Sequence, residues 1–285
     1  MYIRCWGSRG SIPVSGKGYT KYGGDTTCLE IRSKEGDLVI VDAGTGIRNL
    51  GQKLLHEKKQ NIVLLLTHAH LDHIMGFPFF RPIYAEGTEI SIISCINSKS
   101  SAKSVFTTLM SRPFFPVQLT DKDIKAHFVF KKIKKEPIKI GSLTIDCIPL
   151  SHPKDGGLGF RFKEDDKTFV FLTDNELGHV HKDGCTFNEY KKFCRNADLL
   201  IHDAEYEQKE YNKIVKYSEI PWGHSVIEDV VKLGDGANVK QLGFFHLNAM
   251  RTDDLVDNMV KKAKSSLKNK HIKCFAVGSG FEIIL

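Results

Sequence analysis

The chain has no long apolar run, no paired-cysteine motif and no low-complexity stretch, and each absence removes a class of protein. No segment approaches the ~20 consecutive apolar residues of a membrane helix, so no membrane partner is expected. The start, Met1-Tyr2-Ile3-Arg4-Cys5-Trp6-Gly7, enters a strand-like pattern without the basic flank and apolar core of a secretory signal. The seven cysteines are scattered, odd in number and contain no C-x-x-C pair. That argues for reduced thiols in a cytoplasmic protein and against a cysteine-built zinc site. Cys5, Cys28 and Cys147 have apolar neighbours and read as small core residues. No Pro/Gly/Ser-rich linker and no repeat divides the 285 residues, and 41% hydrophobic content suffices for a large core. One domain spanning 1–285 is expected.

Charge is less decisive. The net charge is +7, with basic runs at 131–139 and 261–271. They read first as a solvated face and a solvated helix. Attraction of a phosphate-bearing substrate is the sharper alternative.

What stands out is Thr67-His68-Ala69-His70-Leu71-Asp72-His73, directly after the apolar run Ile62-Val63-Leu64-Leu65-Leu66. Alternation along an extended chain puts His68 and His70 on one side, a pair that suits a cation such as zinc. Asp72 and His73 come where the chain should turn into a helix, so they can face a second cation. A carboxylate-plus-imidazole set also accepts manganese or iron. Four such groups at this spacing are poorly explained as core packing, because unpaired buried imidazoles and carboxylates are costly.

The pattern H-x-H-x-D-H resembles the metallo-β-lactamase superfamily, a group of mostly hydrolytic metalloproteins. The resemblance implies an α/β fold, an αββα four-layer sandwich of two mixed sheets with helices on the outer faces. It also implies a dinuclear metal site at one edge.

Further metal-competent residues follow one rule: short apolar runs end in them. The run 143–150 leads to Ser151-His152, 168–172 to Thr173-Asp174, 199–201 to His202-Asp203, Leu242 to Phe245 to His246, and 38–41 to Asp42. β-branched and aromatic runs of this length read as strands. Strand ends on one sheet edge are where a rigid scaffold positions functional groups. His68, His70 and His152 then serve one metal and Asp72, His73 and His246 the other, with Asp174 bridging. Two cations roughly 3.5–4 Å apart can clamp attacking and leaving oxygens, and metal binding makes hydroxide available near neutral pH. Asp72 is counted among the catalytic residues as well as the ligands.

The second constellation is His202-Asp203-Ala204-Glu205-Tyr206, followed by Trp222-Gly223-His224-Ser225. An acid after a strand with a downstream G-H-S looks like the phosphodiesterase branch of the superfamily. RNase Z, the tRNA-processing endonuclease, carries a comparable pair. The resemblance implies that Asp203 holds His224 and that His224 protonates the leaving oxygen. An alkoxide leaves poorly, and general acids typically contribute about 10²–10⁴-fold. A lactam or thioester needs this arrangement less.

Trp6-Gly7-Ser8-Arg9-Gly10-Ser11-Ile12-Pro13, Tyr22 to Cys28, and Met110 to Val117 are similar to small bacterial phosphodiesterases of this fold, several linked to cyclic nucleotides or other cyclic phosphates. Leu247-Asn248-Ala249-Met250 departs from that group, where His-Asp-Pro is more usual. Ser8, Arg9 and Ser11 suit a tight turn at least as well as a phosphate contact. Phe114 and Phe115 read as core rather than as a base-stacking pair. His179 and His181 read as polar loop, and His56, His127 and His271 as surface. Helices are expected over 47–58, 101–110, 225–232 and 252–267, the last opening on Thr252-Asp253-Asp254.

The resulting expectation is a hydrolase with two divalent metal ions, zinc first and manganese or iron next, that cleaves phosphodiesters. A cyclic nucleotide or similar small cyclic phosphodiester is the first substrate class. The alternative is an RNase Z-like nuclease acting on nucleic acid, although no Gly/Pro-rich arm for gripping tRNA is present. A non-catalytic metal-binding or regulatory protein on the same fold, or a thioester hydrolase or lactamase, is less consistent with these residues. A homodimer is left open.

Overall fold

Fourteen strands build two sheets in the computed structural model, which describes residues 1–57, 61–94, 101–133, 136–154, 156–217 and 222–285. In chain order the strands are β1 (Tyr2–Gly7), β2 (Cys28–Arg32), β3 (Leu38–Val41), β4 (Asn61–Leu66), β5 (Glu89–Ser94), β6 (His127–Lys132), β7 (Ile138–Ile140), β8 (Leu143–Pro149), β9 (Leu158–Glu164), β10 (Lys167–Leu172), β11 (Leu199–Asp203), β12 (Gln241–Phe245), β13 (Lys273–Ala276) and β14 (Glu282–Ile284). The helices are α1 (Ile47–Leu54), α2 (Ala102–Leu109), α3 (Phe187–Phe193), α4 (Gln208–Tyr217), α5 (Ile227–Ala237) and α6 (Asp253–Ser266).

The first sheet runs β14-β1-β2-β3-β4-β5-β6 and the second β13-β12-β11-β10-β9-β8-β7. Each is mixed. β14, β1, β2 and β3 pair antiparallel, while β3 to β6 pair parallel. In the second sheet β7 to β10 form an antiparallel meander and β10 to β13 pair parallel. Parallel strands need both faces covered. That is why β4 and β11 read as near-continuous apolar runs rather than alternating ones.

The sheets face each other across one core, where Ile3, Val39, Val41 and Leu65 meet Phe160, Phe162, Phe169, Phe171 and Phe245. Phe162 and Phe169 stack at 5.5 Å and Phe171 meets Phe245 edge-on at 5.1 Å, geometries that aromatic quadrupoles favour. α1 and α2 cover the outer face of the first sheet through residues such as Leu50, Leu54 and Phe106. α3, α5 and α6 cover the second through Tyr190, Val230, Leu233, Val256 and Met259. The architecture is the α/β/β/α sandwich. Among the described residues no helix is long and apolar enough to cross a membrane.

Helix boundaries moved in instructive ways. α1 stops at Leu54, and residue 58 of the expected helix lies outside the described residues, as do residues 134 and 135 of the first basic run. α5 runs past Lys232 to Ala237, through two glycines that would ordinarily weaken a helix. Packing overrides that penalty: a Cβ on Gly234 would sit 2.9 Å from Leu242 on β12. Asn238 in the left-handed region then ends the helix. α3, opened by a complete capping box of Thr186 with Glu189, and α4 are additional to the four expected helices.

Candidate metal centre

The ends of four strands, β4, β8, β10 and β12, deliver the candidate ligands to one edge of the sandwich. β4 ends at Leu66, and a tight 3-10 turn over Leu71–His73 places Asp72 and His73. His152 follows β8, Asp174 follows β10 and His246 follows β12. Asp42, Asp174 and His246 adopt φ of 61°, 47° and 53°, so the chain leaves β3, β10 and β12 through the left-handed region. Such conformations cost on the order of 1–3 kcal/mol each and persist where the surroundings enforce them.

The side chains form two groups that share Asp174: His68, His70, His152 and Asp174, and Asp72, His73, Asp174 and His246. Within each group the potential ligand atoms all lie within 4.8 Å of one another. His152 Nε2 is 3.1 Å from His70 Nδ1, and His68 Nε2 is 3.6 Å from Asp174 Oδ2. His73 Nε2 is 3.2 Å from Asp174 Oδ1 and 3.4 Å from Asp72 Oδ2. His246 Nε2 is 3.3 Å from Asp72 Oδ2 and 3.4 Å from Asp174 Oδ2. A tetrahedral shell with bonds of about 2.1 Å has edges of about 3.4 Å, so these spacings suit ligands around a cation.

Outer contacts aim the imidazoles. His73 Nδ1 donates to Asp42 Oδ2 at 2.7 Å. His68 Nδ1 lies 3.0 Å from the Thr67 hydroxyl, which itself donates to Asp42 Oδ2 at 2.7 Å and therefore accepts from the ring. His152 Nδ1 donates to the Gly223 carbonyl at 3.0 Å, and His246 Nδ1 to Glu205 Oε2 at 2.8 Å. In all four rings Nδ1 is tied to an acceptor and Nε2 faces the cluster, the orientation a metal needs. The Nε2 atoms of His68 and His73 are buried without a hydrogen-bond partner. Leaving such atoms orphaned is costly, and a cation would satisfy both. The residues present therefore fit two divalent ions. His70 is exposed, so the site opens to solvent on that side.

Next to the cluster, Asp203 Oδ2 accepts from His224 Nδ1 at 2.9 Å and from the Asn175 amide at 3.2 Å. The His224 ring stacks on His246, and its Nδ1 is 4.0 Å from Asp174 Oδ2. His224 Nε2 is 3.6 Å from Glu205 Oε2. Asp203, His224 and His246 thus make a third close grouping.

Residues 38–247 match the family described as the β-lactamase superfamily domain. The chain belongs to that superfamily. It is similar to Ribonuclease Z of Clostridium acetobutylicum, at 22% identity with 93% of each chain covered. Ribonuclease Z of Prochlorococcus marinus strain AS9601 is 25% identical over 84% of this chain and 88% of that one. Among solved structures, unliganded yeast PDE1 shares the fold with a TM-score of 0.71 at 13% identity, covering 100% of this chain and 99% of that chain. A diphosphatase of the PhnP family does so with a TM-score of 0.69 at 16% identity, covering 100% and 97%.

Electrostatics in this β-lactamase-superfamily site are dominated by buried carboxylates. Burial, reinforced by the neighbouring histidines, pushes His68 well below the usual imidazole range and His152 down to about 3, so both are neutral. Burial also opposes charge on His73 and His246, but Asp174 and its neighbouring carboxylates hold both well above the usual range. His224 is likewise opposed by burial and carried up to about 9 by Glu205 and Asp203. Without cations, protons on these rings balance the carboxylates. Divalent ions at the superfamily's site would displace protons from His73 and His246, as metal binding at histidine sites does.

Two residues that orient ligands had no role in the sequence reading. Asp42 was visible only as another strand end, and Glu205 only as part of the motif around Asp203. Two readings need correction. His181 is buried, not a solvated loop residue, because its Nε2 meets Glu176 Oε2 at 2.7 Å. Phe114 is 77% exposed, and Phe115 is only partly buried, edge-on to Phe79. Phe115 nevertheless packs against the core under α1 and α2, so only Phe114 departs from the core expectation. Arg9 is wholly buried, donating to the carbonyls of Gly23 and Arg251 at 2.8 Å each, which is the structural role of the turn. Its neighbour Ser11 reaches the site through a backbone N–H to Asp72 Oδ2 at 2.9 Å.

Proposed function

We propose that this superfamily member hydrolyses small phosphodiesters, a cyclic nucleotide or similar cyclic phosphodiester first among them. It is a metal-dependent phosphodiesterase; the substrate and the ligand roles are the finer assignments. His68, His70, His152 and Asp174 hold one cation, and Asp72, His73, His246 and the shared Asp174 hold the other. Zinc suits the imidazole-rich group, while the carboxylate-richer one also accepts manganese or iron. When bound, the ions supply Lewis acidity toward the phosphoryl group and the attacking water.

The observation that carries the reading is the Asp203–His224 pair, 2.9 Å apart and stacked against the second ligand group. Asp203 keeps the Nδ1 proton, so His224 Nε2 is the atom that hands a proton to the departing alkoxide. The carboxylates around His224 keep it protonated at neutral pH. A reaction with a stable leaving anion has no use for such a group.

An RNase Z-like activity on tRNA precursors is the second reading. One observation favours it: relatives named Ribonuclease Z match 93% of the chain. A turnover screen separates the two. Cyclic nucleotides, a linear dinucleotide, bis(p-nitrophenyl) phosphate and a tRNA precursor are offered with zinc and with manganese. Cleavage of the cyclic substrates without tRNA maturation supports the first reading. Cleavage of a thioester or lactam with none of the phosphodiesters overturns both.

A further inference from the structure

A cavity of about 530 Å³ opens beside the candidate metal centre, with His70 and His152 on its inner wall. Its outer wall carries Trp222, Lys154, Lys182 and Asp183. The Trp222 side chain is 60% exposed, so its indole covers no core. An aromatic face, two cations and one carboxylate beside a phosphodiester-cleaving centre have no packing role to perform. They are the groups that a nucleotide recruits: a stacking platform, charge for phosphate, and an acceptor for a base N–H.

The wall is held in place from behind. Glu176 is buried, and its Oε2 accepts from His181 Nε2 at 2.7 Å and from the Gly223 amide at 3.1 Å. Its other oxygen accepts from the Tyr211 hydroxyl. One carboxylate thus ties the loop bearing Lys182 and Asp183 to the turn bearing Trp222. Gly223 has φ of 87°, and a Cβ there would fall 2.2 Å from His152 Nδ1. The turn therefore lies directly on a candidate ligand, with Trp222 on one side of it and His224 on the other. This holds the platform beside a candidate metal ligand before any substrate arrives, and preorganisation of that kind lowers the cost of binding.

We propose that this cavity is a base-binding subsite, in which Trp222 stacks the heterocyclic base of the substrate while Lys154 and Lys182 balance its phosphate charge. The inference deepens the phosphodiesterase reading and rests on it. It assigns the substrate class as a base-bearing phosphodiester, whether a free nucleotide or the end of an RNA.

AMP and ribose 5-phosphate differ only by the base, so calorimetric titration of the purified protein with each isolates the stack. AMP is expected to bind about tenfold or more tightly than ribose 5-phosphate, in line with base–aromatic stacking. Trp222→Leu should bring AMP to the ribose 5-phosphate level, and Trp222→Phe should restore most of the difference. Lys154→Ala and Lys182→Ala should weaken both ligands together. A short RNA with a single-stranded 3′ end forms the second arm. Loss of its binding in Trp222→Leu without AMP binding to wild type would assign the subsite to RNA ends. Equal affinity for AMP and ribose 5-phosphate, with RNA binding unchanged by Trp222→Leu, overturns the inference. So does discrimination between AMP and ribose 5-phosphate that survives Trp222→Leu. If the discrimination holds but no phosphodiester is turned over, the phosphodiesterase reading fails and the subsite stands. If phosphodiesters are cleaved with and without a base equally well in wild type and Trp222→Leu, the subsite fails alone.

Discussion

His224 and His246 stack with ring centroids 4.5 Å apart and planes 17° from parallel, although one lies in the loop before α5 and the other follows β12. Each ring is tied at Nδ1 to a carboxylate, Asp203 for His224 and Glu205 for His246, and those two residues are separated only by Ala204. One short segment at the end of β11 thus orients both a candidate general acid and a candidate metal ligand.

The general-acid role makes a leaving-group prediction. p-Nitrophenolate departs without protonation, whereas a ribose alkoxide does not. His224→Ala is expected to slow cleavage of a nucleotide substrate by about a hundredfold or more. The loss with bis(p-nitrophenyl) phosphate should be much smaller, and Asp203→Asn should follow the same pattern more mildly. Turnover of both substrates at saturating metal tests this. A uniform loss would mean that His224 positions the phosphate instead.

Metal content separates ligand from acid. Asp174 lies in both ligand groups, so Asp174→Ala should lower bound metal and abolish activity. His224→Ala should keep its metal. Elemental analysis of the two purified variants decides, and equal loss in both would make His224 a ligand of the third grouping around His246.

Glu205→Gln tests the orientation of His246. The carboxylate fixes the Nδ1 proton of the ring, and loss of such outer contacts typically costs about 10–100-fold in metal affinity. Competition with a chromogenic chelator should show one of two ions weakened and the other unchanged. Equal weakening of both ions would place the effect elsewhere.

A stability prediction lies away from the site. Asp146 is somewhat opposed by burial, but Arg161 at 2.8 Å and 3.0 Å and Lys163 at 3.2 Å hold its carboxyl below the usual range. A depressed folded pKa stabilises above the unfolded value of about 3.9 and stops doing so as pH falls through the folded one. Asp146→Asn should therefore cost about 0.5–1 kcal/mol at neutral pH, and the cost should shrink toward zero as the pH drops below about 4. Urea melts of both proteins across that range read it out. A difference independent of pH would refute the ion-pair account.

Much of the site could be read from the chain, for a physical reason. Sheets bury apolar runs and put polar residues at their ends, so His68, His70, Asp72, His73, His152, Asp174 and His246 each announce themselves by following a strand. Asp42 obeys the same rule, but nothing in the sequence says that its carboxylate turns toward His73 rather than to solvent. Only the left-handed backbone at Asp42 aims it there.

What lay beyond the sequence is pairing between distant segments. His181 looks like a solvated loop residue until Glu176 is beside it, and Phe114 looks like core until no element covers it. Trp222 carries no periodic signal, because exposure depends on which loops fold over it. Local alternation and strand ends picked out the residues that converge at one edge of the sandwich, and the H-x-H-x-D-H resemblance supplied the two-sheet architecture. The tertiary structure decided the ring orientations, the charge on each histidine and the cavity beside the metals. Each of these depends on a hydrogen bond or a burial supplied by a residue far away in the chain.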